Sequence, residues 1–132
     1  MRPRTGLHWA LLGAAGGLGY AVLGLLASEP LGWWPAAPLS LVPLFAAALV
    51  GSRAPRRAAW RLAAGAWVGS LPLWVMTHAW ISSVSPVGFI PGMLLQGAWA
   101  GVFVLLAALA LRGRHATLGI ALAALQQEED SC

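Results

Sequence analysis

The stretch GSRAPRRAAWR, residues 51–61, separates two long apolar blocks and holds half of the arginines of this chain. The other four arginines stand in pairs, one pair before the first apolar block and one pair after the fourth. The gaps after the first and third blocks contain no arginine. Because basic residues collect in the cytoplasmic loops of membrane proteins, this alternation predicts four membrane spans with the N-terminus in the cytoplasm.

The composition also favours a membrane protein. Of the 132 residues, 59% are hydrophobic and 9% are charged, and the mean hydropathy is +0.74. A soluble domain usually carries about 25% charged residues. The apolar blocks are long enough to cross a hydrocarbon core of about 30 Å. The sequence therefore predicts an all-α membrane protein with about four transmembrane helices.

The blocks divide the chain into a transmembrane region at 1–115 and a remainder at 116–132. The predicted spans are residues 7–27, 31–50, 62–81 and 93–111. The remainder begins with a short apolar run, too short to cross a membrane, and continues into an acidic tail. We expect it to form a short apolar stub, the start of a fifth helix, as in a fragment of a longer chain.

A cleaved signal peptide is the alternative interpretation of the first block, which follows a basic N-terminus. The block is longer than the usual apolar region of about 7–15 residues, and no A-x-A site follows it. We therefore favour a membrane span.

No catalytic, cofactor or metal site is predicted from the motifs. Eight arginines face only four acidic residues, but their grouping between apolar blocks indicates cytoplasmic loops rather than a nucleic-acid surface. No His, Cys and carboxylate cluster has metal-ligand spacing, and neither a G-x-S-x-G motif nor a phosphate loop is present. The single Cys132 has no Lys or His beside it to activate its thiol.

Small residues suggest how the helices meet. In lipid, helices associate by close approach at small side chains. Three blocks carry a G-x-x-x-G motif, at Gly13/Gly17, Gly65/Gly69 and Gly97/Gly101. These faces are expected to pack the spans together or to dock the helices of a partner protein.

A polar but uncharged connector follows the third block. The stretch WVMTHAWISSVSPVGFIPG, residues 74–92, contains Thr77, His78 and three serines. The arginine pattern predicts that the Ser82–Gly92 hinge lies outside the cell. We predict that Trp74, His78 and Trp80 border a lipid-facing approach to a substrate-binding site. The plainer interpretation is an interfacial histidine satisfied by water or lipid headgroups.

Two runs of residues follow a pattern known from a membrane enzyme family. They are Trp34-Pro35, Leu39 and Pro43 in the second block, and Gly69, His78, Trp80, Ser82-Ser83, Pro86 and Gly88 around the polar connector. Over roughly residues 7–114, the chain resembles the N-terminal membrane part of the apolipoprotein N-acyltransferase family.

The resemblance implies a multi-pass protein of a bacterial-type plasma membrane. Members of that family transfer an acyl chain from a membrane phospholipid to the N-terminal cysteine of a lipoprotein, in a nitrilase-like domain that uses Glu, Lys and Cys. Phospholipid and lipoprotein are therefore the implied partners. The catalytic domain would follow the helices, and this sequence contains no Lys. We expect a truncated chain that does not catalyse acyl transfer alone.

Two other interpretations stay open. The chain is a non-enzymatic membrane protein or subunit whose glycine faces dock a partner's helices, or it is the membrane half of a small transporter. The transporter interpretation is the weaker one, because transport sites need intramembrane polar groups. The spans offer little beyond Ser40, Ser70, Thr77 and Gln96.

Overall fold

All the regular structure in the described part of the chain is helical. The structure, a computed structural model, describes residues 6–28 and 31–129, with side chains as far as Arg114. The helices are α1 (Gly6–Ala27), α2 (Ala36–Leu39), α3 (Leu41–Ser52), α4 (Arg56–Thr77), α5 (Ile81–Val84) and α6 (Pro86–Glu129). The all-α prediction is confirmed. Cys132 and the first arginine pair, Arg2 and Arg4, lie outside the described residues.

Two helical segments are long and apolar enough to cross a membrane. They are α1 and the Pro86–Arg114 part of α6, judged by length and composition. Helix α4 is as long as α1, but the arginines near its start lower its hydropathy. The apolar segment Ala36–Ser52 is shorter.

The second apolar block is divided at Ser40 into α2 and α3. Pro43 has no N–H to donate to the carbonyl of Leu39, and this missing hydrogen bond coincides with the division. The hydroxyl of Ser40 donates to the carbonyl of Ala37 at 2.6 Å. The interruption between α2 and α3 is therefore explained by a proline one turn further on, since the backbone of Ser40 itself is helical (φ −61°, ψ −26°).

Two G-x-x-x-G motifs interlock α1 with α4. At each of their four glycines, an added Cβ would overlap a backbone carbonyl oxygen of the facing helix. The contacting pairs are Gly13–Leu62, Gly17–Ala66, Gly65–Ala10 and Gly69–Ala14. The residue numbers rise together along both helices, so α1 and α4 run parallel at a separation that only glycine allows.

Helices α3 and α6 run in the opposite direction. The close approaches are Gly16–Ala47 and Gly19–Pro43 between α1 and α3, and Gly97–Leu71 and Gly101–Ala63 between α6 and α4. In both sets one residue number rises as the other falls. The four long helical segments therefore alternate in direction along the chain.

Small residues lie inside the bundle and large ones lie outside it. Most of the buried hydrophobic residues are alanines, and the largest fully buried side chains are Leu44, Leu62, Val104 and Ser70. Leucine, valine and tryptophan side chains are exposed along every long helix. In a soluble bundle the large apolar side chains face the core and polar ones face water, so the arrangement here is reversed.

Helix α6 extends beyond the predicted span 93–111 at both ends. It begins at Pro86 rather than at residue 93, because Ser85 caps it: the N–H of Gly88 donates to Ser85 Oγ at 3.3 Å. Proline suits the first helical position, where no N–H partner is needed. The later part of the predicted 82–92 hinge is therefore helical. The expected stub is not a separate element, because α6 continues to Glu129.

Candidate functional site

The two ends of the bundle differ in charge. The arginines of the described part lie at the end where α1 and α4 begin; they are Arg53, Arg56, Arg57, Arg61, Arg112 and Arg114. Arg112 Nη2 donates to the carbonyl oxygen of Gly51 at 3.0 Å and also to that of Ala54. The opposite end, around α5, has no charged side chain among the described residues. We call these the arginine end and the uncharged end.

The structure brings together three of the polar or aromatic residues at the uncharged end. The ring centroids of Trp74 and His78 lie 5.7 Å apart, with the ring planes tilted by 42°. Thr77 Oγ1 lies 2.8 Å from His78 Nδ1 and 2.7 Å from the carbonyl oxygen of Leu73. The last turn of α4 thus holds the imidazole by a ring contact with an indole and by a hydrogen bond to a hydroxyl.

These contacts determine which ring nitrogen of His78 carries the hydrogen and which is left for a ligand. A carbonyl oxygen can only accept a hydrogen bond, so the single hydroxyl hydrogen of Thr77 goes to Leu73. Nδ1–H of His78 then donates to Thr77 Oγ1. Nε2 remains, without a hydrogen-bond partner in the described part of the chain, and it is the ring nitrogen available to a ligand.

Trp74 and Trp80 differ in their surroundings. The indole Nε1 of Trp74 is enclosed and has no hydrogen-bond partner among the described residues. An enclosed donor without a partner costs about 1–3 kcal/mol. Trp80 lies beyond the end of α4, is 65% exposed, and makes no ring contact with Trp74 or His78 in the described structure. Of the three predicted residues, Trp74 and His78 therefore form a contacting pair, and Trp80 lies apart from them and exposed.

Sequence reasoning missed a polar seam between α4 and α6. The indole N–H of Trp67 donates to the carbonyl of Leu94 at 2.9 Å. The hydroxyl of Ser70 bonds the carbonyl of Trp67 at 2.8 Å and approaches that of Gly97 at 3.3 Å. The signal available in the sequence was Trp67 itself, a tryptophan inside an apolar block.

Next to this seam lies an apolar groove between α4 and α6. Its volume is about 300 Å³, and it is lined by the indoles of Trp60 and Trp67 and by small residues from both helices. The small residues include Ala64 and Ala98. The groove is a place where the bundle surface can receive an apolar chain.

No family model, curated protein or solved structure matches this chain. No group of three or more His, Cys, Asp and Glu that could hold a metal ion occurs among the described residues. What they provide is an apolar surface with one imidazole nitrogen at the uncharged end and a groove nearer the arginine end, an arrangement suited to binding an amphiphile.

Proposed function

We propose that the chain is a four-span membrane body whose arginine end faces the cytoplasm. The observation that carries this proposal is the reversed packing, with alanine and glycine inside and large apolar side chains outside. Monomeric soluble proteins rarely expose contiguous apolar patches of more than a few hundred Å². Surrounding hydrocarbon removes the free-energy cost of exposing apolar side chains to water, and helices in hydrocarbon meet at small residues.

The distribution of charge supports the same orientation. Alternating helix directions bring the described arginines to a single end of the bundle. Placing Arg53, Arg56 and Arg57 on the extracytoplasmic side would oppose the bias that orients membrane helices. The uncharged end with His78 therefore faces outward in this proposal, in a bacterial-type plasma membrane if the resemblance to the apolipoprotein N-acyltransferases holds.

The proposed function of this body is to bind a phospholipid at its uncharged end, as the membrane part of such an N-acyltransferase would. Trp74 and His78 would border the approach, and the Thr77 bond leaves Nε2 as a hydrogen-bond acceptor that can meet an N–H or O–H group of a phospholipid headgroup. Acyl transfer to a lipoprotein stays outside this proposal, because without Lys these residues do not assemble the Glu, Lys and Cys set of that family.

The alternative, a subunit that docks a partner's helices, depended on its G-x-x-x-G faces. The structure uses all three inside the chain: two interlock α1 with α4, and the third, Gly97/Gly101, lies against Trp67 and Leu71. The glycine faces that favoured helix docking are therefore already packed against other helices of this chain. Phospholipid binding is the better supported function.

A His78→Phe variant tests the lipid approach. Phenylalanine keeps a ring against Trp74 but removes both nitrogens. Losing a hydrogen bond worth about 1 kcal/mol should lower headgroup labelling roughly fivefold. The measurement uses the chain in phosphatidylcholine vesicles with a trace of phosphatidylethanolamine that carries a photoreactive group at its headgroup, and mass spectrometry of the labelled residues.

His8→Phe is the matched control, because His8 is an exposed histidine at the arginine end and also contacts an indole, that of Trp9. It should leave labelling around residues 74–80 unchanged. Equal labelling of that region in the wild type and the His78→Phe variant would overturn the assignment of His78 to lipid binding.

A further inference from the structure

A second lipid-binding feature lies near the arginine end, away from His78. The groove between α4 and α6 has almost no polar surface. From Trp60 to Trp67 it follows α4 for about 10 Å, at a rise of about 1.5 Å per residue. An apolar groove of this length fits part of an acyl chain rather than a polar solute.

Arginines continue the same face of α4 beyond the groove. Arg56 and Arg57 precede Trp60 by four and three residues, the spacings that place side chains on one helix face. Both are exposed. A chain lying in the groove would therefore have its polar end within reach of two guanidinium groups.

These two guanidinium groups have no counter-ion within the described structure. Residues 6–28 and 31–114, whose side chains are described, contain no Asp or Glu. Arg112 is occupied by the carbonyls of Gly51 and Ala54, whereas Arg56 and Arg57 bind no described residue. Their charge is complementary to an anionic headgroup, and arginine matches phosphate oxygens with paired N–H donors.

We propose that an anionic phospholipid binds at this face, with one acyl chain in the α4–α6 groove and its headgroup phosphate on Arg56 and Arg57. The site takes lipid from the cytoplasmic leaflet and is distinct from the approach at His78. It rests on the proposed membrane embedding and orientation but does not depend on lipid binding at the uncharged end.

Photolabelling of the full chain in phosphatidylcholine vesicles tests this site. The probes are trace phosphatidylglycerol and trace phosphatidylcholine with the same photoreactive acyl chain. We expect phosphatidylglycerol to label the groove preferentially, at Trp60, Ala98 and their neighbours. Arg56→Gln with Arg57→Gln should lower that preference roughly 30-fold, because each lost hydrogen bond to the phosphate is worth about 1 kcal/mol.

Two matched variants separate a site from diffuse charge. Arg53→Gln with Arg114→Gln removes the same charge from the same end and should leave most of the preference in place. Ala64→Leu fills the groove and should abolish its labelling, whereas Ala15→Leu on the exposed side of α1 should not.

Three results would overturn the site. They are equal labelling by the two probes, an equal loss in both double arginine variants, and unchanged groove labelling in Ala64→Leu. Each of these would leave the His78 result untouched. Failure of the wild-type chain to insert into the vesicles would overturn the membrane embedding together with the site.

Discussion

Replacing Gly65 with alanine should destabilise the bundle by at least the upper end of the range of about 1–3 kcal/mol typical of overpacked cores. The new Cβ would overlap the carbonyl oxygen of Ala10, and a backbone atom cannot move aside as a flexible side chain can. Alanine is a better helix former than glycine by about 1 kcal/mol, so the change alone favours the helix. Any loss therefore reports the contact between α1 and α4.

Gly13→Ala should have a similar effect, because its Cβ would overlap the carbonyl oxygen of Leu62 across the same interface. Once one variant has forced the helices apart, the second overlap is already relieved. The double variant should therefore lose clearly less than the sum of the two single losses, a coupling expected for sites that share a contact.

The measurement is the free energy of unfolding in detergent micelles, followed by circular dichroism during titration with a denaturing detergent. Gly92→Ala is the control: Gly92 lies inside α6, and beyond its own turns of helix nothing lies within 4 Å of an added Cβ. It should be neutral or slightly stabilising. Strict additivity of Gly13→Ala and Gly65→Ala, or losses no larger than that of Gly92→Ala, would contradict the interlocked packing.

The second large effect is expected for Arg112→Leu. The Arg112 guanidinium ties α6 to the end of α3 and to the connector that follows it, through the carbonyls of Gly51 and Ala54. Hydrogen bonds to charged groups contribute about 1.5–3 kcal/mol. Since Nε of Arg112 is enclosed without a partner in the described structure, part of that gain is offset. We therefore expect a loss near the lower end, about 1.5 kcal/mol.

Arg53→Leu is the matched control for this prediction, since it removes the same charge from the same end at an exposed position. Its effect should stay within about 0.5 kcal/mol, as for most surface substitutions. Both variants are compared by the same unfolding titration in uncharged detergent. Equal losses for Arg112→Leu and Arg53→Leu would mean that charge, and not the tie to the connector, sets the stability.

Composition and block length were enough to predict an all-helical chain. They were not enough to predict where each helix begins and ends. Hydropathy reports which solvent a segment prefers, but a helix ends where backbone hydrogen bonding ends. Helix α4 therefore starts at Arg56, directly after Pro55, because arginine is a good helix former despite its charge. The start of α6 could be predicted from Ser85-Pro86, a capping residue followed by a proline. The length of the apolar block does not contain this information.

The candidate site was predictable only where it is local. Trp74 and His78 are four residues apart, and the structure places their rings in contact at the end of α4. The bond from Trp67 to Leu94 joins residues of different helices. Which helix faces Trp67 depends on how the glycine faces pair, and the motifs alone allowed several pairings. The groove beside Trp67 was unpredictable for the same reason.

The orientation of the bundle is tested most directly by thiol labelling in intact cells. The experiment uses a Cys132→Ser background, so that the only thiol is the one introduced. Ser83→Cys at the uncharged end should react with a membrane-impermeant maleimide in intact cells. Gly113→Cys at the arginine end should react only after the membrane is opened. Labelling of Gly113→Cys but not of Ser83→Cys in intact cells would contradict the orientation, and with it the assignment of both lipid sites to their leaflets.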